Sequence, residues 1–280
     1  MLTLPNCKIN VGLHVVAKRP DGFHDLETLF YPVPWCDALE LTPVMTGGKV
    51  ERDSAVEGIF TLSGRRIEGA KEDNLVMKVY RAMREEFSLP ATDIVLTKNL
   101  PTGAGLGGGS SDAAFTMTAL NELYDLGLSP DDMEQRMSRF GADCAFFVRN
   151  KPAFATGIGD QLEPSPVSLK GMWILLVKPS VSVSTAEAYR GVTPRRREFG
   201  LREALSQPIE TWCDTVTNDF EEPVFAAHPE LAAIKQTLLD MGAAYAAMSG
   251  SGSTIYGLFR RPVEEAERVF KDCLVHVAKL

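Results

Sequence analysis

The chain has 280 residues, 45% of them hydrophobic and 24% charged, enough to bury a self-sufficient core in one large or two modest domains. Its formal charge of −8 argues against nucleic acid and anionic membrane as partners, because both reward clustered Lys and Arg. Cys7, Cys36, Cys144, Cys213 and Cys273 are scattered with no C-x-x-C pair, which leaves a disulfide framework or a zinc site without support.

In residues 7–16, Ile9, Val11, Leu13 and Val15 alternate with Lys8, Asn10, Gly12 and His14, the period of a half-buried strand with Lys8 and Asn10 on one face. A turn signal, Arg19-Pro20-Asp21-Gly22, places Phe23 and His24 at the edge of a second strand over 26–33. Residues 37–70 show short apolar alternations broken by Gly and Pro, read as a strand meander. Asp73 or Asn74 caps a helix whose apolar positions Val76, Val79, Tyr80 and Met83 keep helical spacing. A strand around Ile94 and Leu96 stops at Leu100-Pro101. A helix through about Tyr124 carries Ala114, Met117, Leu120 and Leu123 inward and ends at Gly127. A further helix over 130–140 leads to residues 140–148, where Asp143 is the single acid in an uncharged stretch.

Beyond about residue 155 a buried strand is expected over 173–177, then a helix from Thr185. The Pro- and Arg-rich loop with Arg195-Arg196-Arg197 is read as solvated. Helices near 202, 219 and 230, a strand pair at 245–248 and 254–259, and a helix over 263–272 complete the pattern. Neither an internal repeat nor a low-complexity segment is visible. The start lacks the basic and apolar regions of a secretory signal, and no apolar run approaches the roughly 20 residues that span a bilayer. A cytoplasmic location is expected.

The sharpest feature is Pro101-Thr-Gly-Ala-Gly-Leu-Gly-Gly-Gly-Ser-Ser-Asp-Ala-Ala114. Gly103, Gly105, Gly107, Gly108 and Gly109 let backbone N–H groups turn toward a ligand, and the loop feeds straight into a helix N-terminus, whose unpaired amides and dipole favour an anion. This is the composition of a phosphate cradle, with Ser110 and Ser111 adding hydroxyl donors or a metal ligand. The run also fits G-x-G-x-x-G, but a dinucleotide fold needs a following strand with an acid about 20 residues on, and 121–129 reads as helix end and turn. Walker A fails because no Lys follows the last glycine.

The motif resembles the central signature of the GHMP kinases, the group that includes galactokinase, homoserine kinase, mevalonate kinase and phosphomevalonate kinase. Two further signatures stand in family order: the first strand with Lys8, Asn10 and Gly12, and the late loop Met248-Ser-Gly-Ser-Gly-Ser-Thr254. The Asp21-Gly-Phe-His24 element is similar to the branch acting on a cytidine-diphosphate-linked methylerythritol in non-mevalonate isoprenoid synthesis; a homoserine or mevalonate-type kinase is the alternative. The resemblance implies an α+β chain with an ATP-binding domain over 1–155, a ferredoxin-like α/β substrate domain over 156–280 and a cleft between them. It implies transfer of the ATP γ-phosphate to the 2-hydroxyl of the sugar alcohol, with Mg²⁺ on the nucleotide and no metal ligand of the protein identified.

The resemblance also implies residue roles. Asp143 acts as base beside Lys8. Pro101, Gly103, Ala104, Gly105, Leu106, Gly107, Gly108, Gly109, Ser110 and Ser111 hold ATP phosphates, with Asn74 and Lys98 near the adenine. Phe23 and Tyr189 stack on cytosine while His24 reads its edge, and Asn10, Thr185, Gly250 and Ser251 lie near the acceptor. Taken without the family, an Asp in a Gly-Ala-Asp turn is a cap or turn residue, Lys8 is a solvated edge residue, Phe23 belongs to a core, and the late loop is a plain hairpin turn.

Overall fold

A computed structural model of the chain describes residues 1–280 except Ser54 and Glu68. Both of those fall inside the expected meander and lie outside the described residues. The chain condenses into two compact units that interleave along the sequence. The first comprises Met1–Cys7, Cys36–Thr102 and Gly107–Asn150, and the second Lys8–Trp35, Gly103–Leu106 and Lys151–Leu280. Compactness thus crosses the chain several times, where a single division near residue 155 was expected.

The sheet of the first unit runs in the order Leu2–Thr3, Ala38–Pro43, Thr92–Lys98, Phe60–Gly64. It is not a meander: Ala38–Pro43 pairs antiparallel with Thr92–Lys98, whereas Phe60–Gly64 pairs parallel with the same central strand. Along Thr92–Lys98 burial alternates strictly, so the period of two that turns Ile94 and Leu96 inward also carries Lys98 inward. Two helices cover this sheet. Leu75–Phe87 buries Val76, Met77, Val79, Tyr80 and Met83, and Asn74 caps it by accepting from the Val76 N–H at 2.9 Å. Gly108–Leu123 buries Ala113, Ala114, Met117 and Leu120. The next helix, Pro130–Met137, begins in a capping box between Ser129 and Asp132 and stops short of the expected 140. The apolar residues after Asp143 form a helical turn, Phe146–Arg149.

The second unit contains two sheets. One is ordered Gln161–Pro164, Ala153–Thr156, His24–Cys36, Asn6–Lys18; its first hairpin was not apparent from four-residue segments. In Asn6–Lys18 every residue from Asn6 to Val15 is buried. The half-buried reading is corrected: both faces are covered, and the polar face survives because Lys8, Asn10 and His14 find partners inside.

The other sheet has the order Tyr245–Met248, Ile255–Phe259, Trp173–Lys178, Leu274–Lys279, antiparallel throughout. With Trp173–Lys178 first in sequence this is the β-α-β-β-α-β, ferredoxin-like arrangement. Thr185–Arg190, Leu201–Leu205, Trp212–Thr215, Glu221–Ala227 and Pro229–Asp240 fill its first crossover. Leu175, Val177, Leu231, Leu238, Ala246, Met248 and Ile255 meet in its core. The expected helix over 263–272 shrinks to Ala266–Val269, and Leu274–Lys279 follows as a strand. Trp173–Lys178 is buried almost end to end, so hydrogen-bond satisfaction requires a strand on each side of it, and the last residues supply the second.

Candidate active site

Lys8, Asn10, the first half of the glycine loop and the late loop interlock within the second unit. On Asn6–Lys18, Lys8 and Asn10 share a face, and the Lys8 ammonium donates to Asn10 Oδ1 at 2.5 Å and toward the Gly105 carbonyl at 3.5 Å. It stands 4.8 Å from the Phe30 ring centroid, a cation–π contact. Asn10 Nδ2 donates to Thr28 Oγ1 at 2.9 Å, and Thr28 passes its own proton to the Gly12 carbonyl at 2.6 Å. The Tyr256 hydroxyl donates to the Asn10 carbonyl at 2.9 Å. Lys8 is 3% exposed, which corrects the solvated-edge reading: it is a buried cation whose orientation is fixed from several sides.

The same unit fixes the loop residues Gly103, Ala104, Gly105 and Leu106. Leu106 O accepts from the Lys8 N–H at 2.9 Å, and Ala104 O from the Thr254 N–H at 3.3 Å. Ser249 Oγ accepts from the Asn10 N–H at 3.2 Å and donates to the Gly105 carbonyl at 2.9 Å. Gly105 has φ +75°, and a Cβ there would lie 2.0 Å from the Ser249 carbonyl oxygen. Only glycine allows the two loops to approach this closely. Asn218 Nδ2 donates to both Met248 O and Gly250 O at 2.8 Å. Residues 249–254 join Tyr245–Met248 to Ile255–Phe259 as a hairpin connection, and Ser249, Ser253 and Thr254 are fully buried. Gly250 and Ser251 are thereby positioned, and Ser251 Oγ lies 3.4 Å from Thr185 Oγ1 at the start of Thr185–Arg190.

Two of the three residues expected at a cytosine come together. The His24 ring stacks on Tyr189 with centroids 4.7 Å apart, and Tyr189 meets Phe220 edge-on at 4.8 Å. Phe23 is 59% exposed, just before the strand, and so departs from the core reading. Asp21 Oδ1 accepts from the Phe23 N–H at 3.0 Å and Arg19 pairs with Asp21 and Asp25, so this turn is held by its own charged side chains.

In the first unit, Pro101 ends the approach to the loop and Gly107, with φ +69°, precedes Gly108–Leu123 without any side-chain cap. The amides of Gly108, Gly109 and Ser110 therefore lack an intrahelical acceptor, the condition for holding an anion. Asp143 is half-buried in the turn before Phe146–Arg149. Burial pushes the thiol of its neighbour Cys144 up to about 11, with Asp143 adding to it and nearby Ser110 opposing it. Ser111 Oγ is buried without a hydrogen-bond partner among the described residues.

Of the two residues expected near the adenine, Asn74 through its Oδ1 and Lys98 through its ammonium are bonded within the protein. Asn74 is the helix cap described above. The Lys98 ammonium, 2% exposed, is shared between Asp37 and Asp112. Burial pulls that ammonium down, but the two carboxylates outweigh it and hold its pKa above the usual value. Burial pushes Asp112 up to about 7, against the pull of Lys98 and with help from Asp37. Asp37 and Asp112 were missed by sequence reasoning. The one available signal was the period of two along 92–98, which buries a lysine and so demands buried counter-charges.

Comparison with known proteins gives the family. The family model described as GHMP kinases N terminal domain matches residues 74–151, and that described as GHMP kinases C terminal matches 201–276. A 4-diphosphocytidyl-2-C-methyl-D-erythritol kinase of Parabacteroides distasonis is 46% identical over the whole of both chains. One of Bacteroides fragilis is 48% identical over 92% of each. A crystal structure of 4-(cytidine 5'-diphospho)-2C-methyl-D-erythritol kinase superposes with TM-score 0.81 at 29% identity, covering all of both chains. Homoserine kinase of Cytophaga hutchinsonii, at 17% identity and TM-score 0.62 over 98% of this chain and 94% of that one, shares the fold. From both family models and from identity sustained along its entire length, the chain belongs to the GHMP kinases.

Proposed function

We propose that the chain transfers the γ-phosphate of ATP to the 2-hydroxyl of 4-diphosphocytidyl-2-C-methyl-D-erythritol, a step of non-mevalonate isoprenoid precursor synthesis. The observation that carries this reading is identity of 46% over the full length of a relative bearing that name. The meeting of His24 and Tyr189 supports it, because it brings together two of the residues assigned to the cytosine.

Phosphoryl transfer asks a protein chiefly to align nucleophile and phosphate and to neutralise spreading charge. In this reading the uncapped amides at Gly108–Ser110 and the loop Gly103–Gly107 hold the triphosphate. Asp143 takes the proton of the acceptor hydroxyl, late in a loose transition state, and Lys8 offsets the negative charge on the transferring oxygens. Asn10, Thr185, Gly250 and Ser251 orient the sugar alcohol, Tyr189 and Phe23 hold the cytosine, and His24 reads its edge. Where Mg²⁺ accompanies ATP it would supply charge neutralisation for the triphosphate, and Ser111, whose buried hydroxyl lacks a hydrogen-bond partner among the described residues, is the side chain that would hold it.

The deciding experiment offers ATP with the cytidylyl acceptor, homoserine or mevalonate and follows ADP release. Turnover confined to the cytidylyl acceptor is expected. Turnover with homoserine or mevalonate instead identifies another kinase of the group, and none with any acceptor points to a non-catalytic nucleotide binder.

A further inference from the structure

Three buried charges in the first unit have no part in the chemistry assigned above. Asp37, fully buried between His24–Cys36 and Ala38–Pro43, accepts on Oδ1 from the backbone N–H groups of Asn99 and Leu100 at 2.6 and 2.7 Å. Its Oδ2 pairs with Lys98. The same ammonium donates to Asp112 Oδ2 at 2.6 Å, and Asp112 lies in the second turn of Gly108–Leu123.

A continuous chain of bonds therefore runs from Leu100, where the backbone leaves the sheet toward Pro101, through Asp37 and Lys98 to the helix that the glycine loop enters. The first helical residue sits directly on this chain: a Cβ at Gly108 would lie 3.3 Å from Leu100 Cδ1 and 3.6 Å from Lys98 Nζ. Burying one cation with two carboxylates is costly, and apolar packing would hold a sheet and a helix together with less penalty. What charge-assisted bonds add is short, directional geometry. That geometry is imposed on both ends of one loop.

We infer that Asp37 is a positioning residue for nucleotide binding: through Lys98 and Asp112 it fixes the separation between the departure and the arrival of the glycine loop, and so aims the first helical amides at phosphate. This rests on reading the glycine loop as the ATP phosphate site. Lys98 then serves that site from behind, through its ammonium.

The test is a graded pair of variants. Asp37→Asn keeps a carbonyl oxygen for the Asn99 and Leu100 amides but cannot pair with Lys98, whereas Asp37→Ala loses both. Binding of a non-hydrolysable ATP analogue to the full chain should weaken about three-fold in Asp37→Asn and at least about ten-fold in Asp37→Ala, with the acceptor KM within about two-fold of wild type. Variants that lose melting temperature or kcat but keep wild-type analogue affinity overturn the inference. If Asp37→Ala is recovered unfolded, Asp37→Asn decides alone: the three-fold weakening supports the inference and unchanged affinity overturns it. Failure of the wild-type chain to bind the analogue would instead reject the ATP-site reading, a result separable from intact wild-type binding with indifferent variants.

Discussion

Lys8 Nζ lies 2.5 Å from Asn10 Oδ1, two residues along the same strand and on the same face. Because Asn10 is bonded in turn to Thr28, Ser249 and Tyr256, the ammonium is aimed by a rigid amide before any substrate arrives, the kind of preorganisation that phosphoryl transfer rewards. Lys8→Ala should lower kcat about 10²–10⁴-fold, the range of a positioned acid–base or charge-stabilising group, with affinity for an ATP analogue within about three-fold. Asp143→Asn should behave alike. Steady-state kinetics paired with direct analogue binding checks this, and near-normal turnover in both variants refutes the assigned roles.

Gly105 and Gly103 separate two reasons for glycine. Both have positive φ, but a Cβ at Gly105 meets the Ser249 carbonyl oxygen at 2.0 Å while one at Gly103 meets nothing within 4 Å. Gly103→Ala should cost only the backbone preference, on the order of 1–2 kcal/mol. Gly105→Ala adds a backbone clash that must push the late loop away, raising the cost to about 3 kcal/mol or more. Thermal unfolding of the two variants should rank them in that order, and equal melting temperatures would contradict the close approach.

How far the fold and site could be read from the sequence depended on the range of the forces involved. Helix Leu75–Phe87 with its Asn74 cap and the glycine loop entering Gly108–Leu123 are set by local spacing and local capping, and both were legible. The final strand Leu274–Lys279 was not, because six residues at a sheet edge are selected by the partner Trp173–Lys178 rather than by their own pattern. The same holds at the site. Lys8, Asn10 and the glycines carry motif signals, whereas Thr28 and Tyr256 each contribute one hydroxyl, and Asp37 both carboxylate oxygens, to contacts with residues distant in the chain. Nothing in their immediate sequence marks them.

Asn218 donates both amide hydrogens to carbonyls, Met248 O and Gly250 O, and its Oδ1 accepts from the Phe220 N–H at 3.0 Å. Asn218→Asp keeps the shape but sets a buried carboxylate against two carbonyl oxygens, so the donors become repulsive acceptors. The expected loss is on the order of 2–4 kcal/mol, from two broken bonds and an unpaired buried charge. Denaturant unfolding should show a shifted midpoint, and stability within about 0.5 kcal/mol of wild type would mean that the amide does not hold this loop.

Tyr189 stacks on His24 and meets Phe220 in a T-shaped contact. If stacking is its contribution, Tyr189→Phe should leave the acceptor KM near wild type, and Tyr189→Leu should raise it about ten-fold or more, since a base–aromatic stack is worth roughly 1–3 kcal/mol. The ATP KM should be unchanged in both. A large effect of Tyr189→Phe would transfer the role to the hydroxyl.

His14 gives a prediction with a defined pH window. It is buried on Asn6–Lys18 with Thr217 Oγ1 3.3 Å from Nε2. Burial, reinforced by Arg197 and Arg195 against the opposing pull of Asp219, lowers its pKa from 6.5 to about 4. The folded chain therefore holds the imidazole neutral where the unfolded chain already protonates it. Stability from this group is intact above pH 6.5, and it is lost as pH falls from 6.5 toward 4. The loss amounts to on the order of 3 kcal/mol for a shift of this size. His14→Gln retains a partner for Thr217 but cannot titrate, so its unfolding free energy should decline less steeply than wild type across that interval, while the two curves run parallel above pH 7. Curves that stay parallel down to pH 4 would show that the imidazole is protonated inside the fold as easily as outside it, and the neutral, buried state assigned to His14 would be wrong.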